Sequence, residues 1–383
     1  MTDLERILPL WRELAAAGSD CVLATVVAVQ GCSYRKPGAF MLLAQDGRRV
    51  GTLTGGSLEA QVASRAWWLT VNGPTVQRYS TVEEDGDRPY GSGCGGAVSL
   101  LLERRTTADL LLAVLERAFE LRTPLAVATV LEGPQFGHRA FAGMEYDPSE
   151  DAQPADSSLQ ELAECSLATR ESIEQSISIG GVEARVWVEF RPARPGLSIF
   201  GAGDDAQPLL SLAKELGWFV AIADRRSDLP TRERFPQADE LRAFAIEELP
   251  GSESTGTPPA IATLKPQDAA VVMTHSFEQD ARILASLLAL DAPLNYVGVL
   301  GPQRRTRELL EEAARLLNIP ADPASLIDAQ VESWLGELHA PMGLDLGAES
   351  PEGIAFSVLA EIQKSLAAAT ALPLREVRGE VRV

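Results

Sequence analysis

The chain has 383 residues, 45% of them hydrophobic and 23% charged, and a net charge of −20. Its length predicts two domains of ordinary size, and its acidity argues against nucleic acid, because a polyanion would meet a repulsive field. The longest apolar run, Cys21 to Val29, is far short of a membrane span, and Asp3, Glu5 and Arg6 do not begin a signal peptide. Four cysteines (Cys21, Cys32, Cys94, Cys165) without a CxxC pair fit a reducing compartment, so a cytoplasmic protein is expected.

In chain order, Leu4, Ile7, Leu8, Trp11 and Leu14 recur at helical spacing, and Gly18 ends that helix. Cys21 to Val29 is rich in β-branched residues and predicts a buried strand. A basic turn, Tyr34-Arg35-Lys36-Pro37-Gly38, leads into a strand over Ala39 to Ala44. The turn Gly51-Thr52-Leu53-Thr54-Gly55-Gly56-Ser57-Leu58-Glu59 then opens a helix whose stripe is Leu58, Val62, Ala63 and Ala66. Free N–H groups at a helix start, with Arg35 and Lys36 nearby, suit an anionic ligand. Glu59, in the first helical turn, is equally placed to cap that helix.

Ser92-Gly93-Cys94-Gly95-Gly96 puts a thiol between glycines ahead of a strand, Ala97 to Leu102. Cys94 suits a soft ligand or a persulfide carrier; a small buried residue is the alternative. A weak internal repeat follows. The helix Ala108 to Leu121, the strand Leu125 to Leu131 and Gly137 to Phe141 echo the opening helix, strand and Gly38-Ala39-Phe40, with Ala24-Thr25-Val26 matched by Ala128-Thr129-Val130. Residues 145–160 read as a solvated loop, Val182 to Phe190 as a last strand, and Arg191 to Gly196 as a linker. An N-terminal α+β domain over 1–190 and a C-terminal Rossmann-like parallel-sheet domain over 191–383 are expected.

The second half opens with a strand, Leu197 to Phe200, then Gly201-Ala202-Gly203-Asp204-Asp205-Ala206, a helix, and a strand closing on Asp224. This is the GxGxxA spacing of a dinucleotide fold, with an acidic residue after the second strand. Further strands are predicted over Ala269 to Met273 and Asn295 to Leu300, and Ser350-Pro351 starts a final helix. Four polar segments fall at strand carboxyl ends: 201–205, Asp224-Arg225-Arg226, Thr274-His275 and Gly301 to Arg305. Gly201, Gly203, Asp224, Arg225, His275, Arg304 and Arg305 are the candidate site residues there. Asp204 and Asp205 at the helix start would repel a pyrophosphate.

Together these segments resemble the XdhC/CoxI family of maturation factors for xanthine dehydrogenase and related molybdenum hydroxylases. The similarity lies in Gly31 to Ala39, Gly51 to Glu59, Gly93 to Gly96, Phe200 to Gly203, Asp224 to Arg226, Thr274-His275, Gly298 to Gly301 and Ala340 to Glu349 running into Ser350-Pro351 and Ala360-Glu361. The resemblance implies binding of molybdenum cofactor (molybdopterin) by Arg35, Lys36, Gly55, Gly56, Ser57, Glu59, Cys94, Gly95, Gly96 and the rim residues, with Cys94 also the candidate metal ligand. It implies protection of the cofactor while a cysteine desulfurase supplies sulfur, then delivery to an apo-molybdenum hydroxylase of the xanthine dehydrogenase type. The family commonly has cysteine at Ser57, histidine at Asp204, glutamate at Gly353 and serine at Cys32, which marks a divergent member. No catalytic pair stands out, so a non-catalytic factor is expected. The alternative is an NAD(P)-dependent oxidoreductase with His275 as proton donor. The apolar helix from Pro351 makes a homodimer an open expectation.

Overall fold

In this computed structural model the described residues are 3–31, 33–54, 56–80, 88–89, 96–144, 157–245, 249, 259–319 and 325–377. The chain divides into two compact units, Met1–Arg194 with Leu374–Val383, and Pro195–Pro373.

The first unit runs α1 (Asp3–Ala16), β1 (Cys21–Gln30), β2 (Phe40–Ala44), β3 (Arg49–Gly51), α2 (Ser57–Leu69), β4 (Thr75–Ser80), β5 (Arg88–Pro89), β6 (Ala97–Arg104), α3 (Arg105–Leu121), β7 (Leu125–Glu132), β8 (Arg139–Ala142), α4 (Ser157–Thr169), β9 (Ile173–Ile179) and β10 (Val182–Arg191). Two sheets form, in the orders β3-β2-β1-β6-β4-β5 and β8-β7-β10-β9. Cys21 and Leu23 of β1 pack with α1, α3 and residues of β7 and β8, whereas Val22, Ala24 and Val26 pack with α2. Helices on both faces explain why β1 is continuously apolar rather than alternating. On the second sheet Ala126, Ala128 and Val130 pack under α4.

The two sheets repeat one plan. The sequence β1, β2, α2, β4, β6 is matched by β7, β8, α4, β9, β10, and both sheets place those strands in the same order. Thr25 pairs with Phe40, and Thr129 with Arg139. Val26 N–H donates to the Ala39 carbonyl, and the Val26 carbonyl accepts from Gly38 N–H; Val130 does the same with His138 and Gly137. α4 and β9, which this match requires, bury Leu159, Ala163 and Ile179, with Leu162, Leu167, Ile173 and Ile177 packed alongside, so each carries an apolar stripe at its own period.

The second unit runs β11 (Gly196–Phe200), α5 (Ala206–Glu215), β12 (Phe219–Asp224), β13 (Glu240–Ala243), α6 (Pro259–Ala262), β14 (Ala269–Val272), α7 (Phe277–Leu288), β15 (Tyr296–Val299), α8 (Gln303–Leu316), α9 (Ser325–Glu337) and α10 (Pro351–Leu366). Its sheet is wholly parallel, in the order β13-β12-β11-β14-β15. Leu197 and Ile199 pack beneath α5 and α10, while Phe200 and Val272 face α7 and α8. This is the doubly wound arrangement of a Rossmann-like domain. Ser350 caps α10 by accepting from Gly353 N–H at 3.1 Å. β13 is short and polar, with no apolar alternation to betray it. A short terminal helix, α11 (Leu374–Val377), belongs to the first unit.

Candidate functional site

The basic turn of the first unit is fixed at its base and open at its tip. Gly38 takes φ +95°, and a Cβ there would collide with the Glu189 carboxylate. Arg191 binds the Gly38 carbonyl at 2.7 Å and Glu189 at 2.7 Å, so β10 grips the turn from below. Burial pushes the Glu189 carboxyl up, against the pull of Arg191 and Arg139. At the tip, Ser33 Oγ donates to the Arg35 carbonyl at 2.9 Å, and the Arg35 guanidinium pairs with Asp3. The Lys36 side chain is exposed and has no partner among the described residues. Of the two cations, only Lys36 is therefore uncommitted.

The glycine turn before α2 differs from its expectation. The buried Glu59 carboxylate accepts from Leu53 N–H at 2.9 Å, Thr54 N–H at 2.8 Å and Gly56 N–H at 2.7 Å. Those amides are not open to an anion, because a carboxylate in the first helical turn satisfies them and complements the helix dipole. Of the two readings of Glu59, the cap is what its geometry serves. Gly55, Cys94, Gly95 and Cys32 lie outside the described residues, as does the side chain of Ser57, whose backbone opens α2. Gly96 is buried just before β6.

In the second unit the four predicted segments end adjacent parallel strands and therefore share one rim. Gly201 takes φ +123°, and a Cβ would strike the Met273 carbonyl, so the turn crosses directly over the end of β14. Asp224 is fully buried and receives Ala202 N–H at 2.8 Å, Arg226 N–H at 2.9 Å and the Arg226 guanidinium at 3.1 Å. Burial alone would raise its pKa. Arg226 and the two amides outweigh that and hold the carboxyl below its usual range. Asp224 thus locks the glycine turn and is closed to a ribose hydroxyl.

Asp205 folds back over Gly203, where a Cβ would meet its carboxylate, and so occupies the usual place of a pyrophosphate. Its Oδ2 lies 2.9 Å from Nε2 of His275. Asp204 is held by Arg234 at 2.8 Å, and Arg234 also binds the Ala202 carbonyl at 2.8 Å. Arg225 is exposed, and its side chain has no partner among the described residues. Arg305 is committed to the buried Asp280 at 2.6 Å, which also takes Thr274 Oγ1 at 2.6 Å. Arg304 is exposed and meets Glu308 only loosely, at 3.8 Å.

Two groupings escape the sequence pattern. Asp205 stands in the sequence as a helix-end carboxylate, yet in the fold it is the partner of His275. Glu361 accepts from Tyr296 Oη at 2.7 Å and Gly343 N–H at 2.7 Å, and lies 3.1 Å from His339 Nδ1. Tyr296 and His339 stack with ring centroids 4.1 Å apart. Burial would raise the Glu361 carboxyl, but the Gly343 amide, Tyr296 and His339 bring it below its usual range. The signal for this second grouping is the motif from Ala340 to Glu349 together with Ala360-Glu361. Among the described residues no cluster of three or more His, Cys, Asp or Glu could hold a metal, and no helix is long and apolar enough to cross a membrane.

Residues 197–362 match the XdhC Rossmann domain family, and residues 14–80 match the XdhC and CoxI family. Over 358 residues the chain is 31% identical to a Bacillus subtilis (strain 168) protein named as a probable xanthine dehydrogenase subunit, covering 90% of this chain and 92% of that one. It is 26% identical over 376 residues to the molybdenum cofactor insertion chaperone PaoD of Escherichia coli (strain K12), covering 94% and 89%. A crystal structure described as a xanthine dehydrogenase from Bacillus halodurans superposes with a TM-score of 0.65 at 25% identity, over 98% of this chain and 100% of that one.

Proposed function

The chain belongs to the XdhC/CoxI family, and from that membership we propose that it is a molybdenum cofactor chaperone serving a hydroxylase of the xanthine dehydrogenase type. The observation that carries this reading is similarity to PaoD along nearly the full length of both chains. The cofactor is a pterin with a phosphate and a dithiolene-bound metal; once in the client, it supplies the hydroxylation chemistry. This chain's task is to hold it, keep it from water and release it.

Lys36 fits the phosphate or oxo end, because it is an uncommitted cation on a turn braced from below by Arg191. Glu59 takes the amides of the turn before α2, so charge and the Cys94 thiol are the handles assigned here. Cys94 would meet the metal or its terminal sulfur, a soft–soft pairing. A cysteine desulfurase donating sulfur while the cofactor is held, and an apo-hydroxylase receiving it, complete the cycle.

The test is co-expression in a cofactor-producing host, followed by metal analysis and pterin fluorescence of the purified protein. Near-stoichiometric molybdenum and pterin are expected in the unaltered protein, with Cys94→Ala losing molybdenum and Lys36→Ala retaining less of both. Protein that carries neither ligand overturns the reading.

A further inference from the structure

The rim of the second sheet keeps one titratable pair for which the chaperone reading has no use. Asp205 and His275 follow β11 and β14, the neighbouring strands between which the winding of the sheet reverses. In doubly wound sheets ligands bind outside the strand ends at that point. His275 sits at φ +60°, a left-handed backbone uncommon for a non-glycine residue and found where a site dictates it. That backbone sets the imidazole across the switch point, with Nε2 at 2.9 Å from Asp205 Oδ2.

With Nε2–H donating to Asp205, Nδ1 is a hydrogen-bond acceptor. It has no partner among the described residues, and the side chain is 63% exposed. Cations stand on both sides along the rim. Arg304 follows β15, one strand from His275, and Arg225 follows β12, two strands away. Those separations are about 5 and 10 Å at ordinary strand spacing. Arg225 has no partner among the described residues and Arg304 meets Glu308 only at 3.8 Å, whereas Asp204 and Asp280 are paired with Arg234 and Arg305. A dinucleotide is opposed by Asp205 over Gly203 and by the closure of Asp224. The His275 acceptor at the switch point and the Arg225 side chain at the strand end two strands away are both exposed.

We propose that this rim is a nucleoside monophosphate site, in which His275 Nδ1 accepts a hydrogen bond from an amino or ring N–H of the base and Arg225 or Arg304 holds the phosphate. Asp205 is the positioning residue that fixes the imidazole. The site is independent of whether the first unit handles a molybdenum cofactor.

The chain has only three histidines, His138, His275 and His339, so nitrogen-15 imidazole spectra of the full-length protein are simple to assign with His275→Asn. Titration with AMP and with GMP is expected to move the His275 Nδ1 resonance and leave the other two in place. Ribose 5-phosphate, which lacks the base, should not move it. Arg225→Ala or Arg304→Ala should weaken the AMP titration about tenfold, the loss of one charge-assisted contact, and so identify the arginine that holds phosphate. A His275 resonance unmoved by about 10 mM of either nucleotide, far above any specific affinity, overturns the site. So does an equal shift with ribose 5-phosphate, or an AMP affinity unchanged in both arginine variants.

Discussion

Two glycine turns open helices in this protein, 51–56 before α2 and 201–205 before α5, and they differ in how they are closed. Before α2 a single carboxylate, Glu59, reaches back and takes three amides of its own turn. Before α5 the turn is braced from outside, by Asp224 at the end of β12 and by Arg234 on the Ala202 carbonyl. That leaves Asp205 available to meet His275. Glycine and free amides at a helix start are thus a poor guide to a ligand when a carboxylate of the same unit can reach them. The side chains left over after that local closure are the informative ones, Lys36 in one unit and His275 in the other.

The largest effect is expected from Gly201→Ala. Its Cβ would strike the Met273 carbonyl in a backbone conformation that already disfavours alanine, so a loss of about 3–4 kcal/mol should appear in urea unfolding of the second unit. Glu59→Ala comes next. It strands three amides and should cost about 2–3 kcal/mol, read as an earlier unfolding midpoint. If Glu59→Ala is neutral, water satisfies that turn and the contrast between the two closures fails. Gly56→Ala should cost only about 1 kcal/mol, since φ +144° is strained but nothing among the described residues lies within 4 Å of the new Cβ.

The subtlest signal is in pH. Asp224 has its folded pKa below the ordinary value, so its contribution is complete above the unfolded pKa and is lost as pH falls through the folded one. Asp224→Asn should therefore flatten the acid limb of stability. Glu189 has its folded pKa raised by burial, so its contribution is present at low pH and is lost as pH rises. Glu189→Gln should gain on the unaltered protein as pH rises above the ordinary carboxyl range. Parallel stability–pH curves for both variants would contradict these environments.

Much of the framework is legible in residue patterns. The run Cys21 to Val29, the stripe Leu58-Val62-Ala66 and the βαβ opening at 197–224 each bury enough apolar surface to dictate their own element. The echo of Ala24-Thr25-Val26 in Ala128-Thr129-Val130 points to the repeated hairpin, whose register is the same in both copies. β13 is not legible, because a four-residue polar edge strand needs no alternation that survives in a single sequence, whereas β9 keeps Ile173, Ile177 and Ile179 on one face.

The amino-acid sequence by itself determined the buried framework of both units, the βαβ opening of the second and the family, since these follow from local burial patterns and motifs in a fixed succession. Only tertiary structure decided which carboxylate closes which turn. Glu189 meets Gly38, and Asp205 meets His275, across 151 and 70 residues of chain (189 − 38; 275 − 205). Charge pairing depends on a few ångströms of separation, a distance that spacing along the chain does not encode.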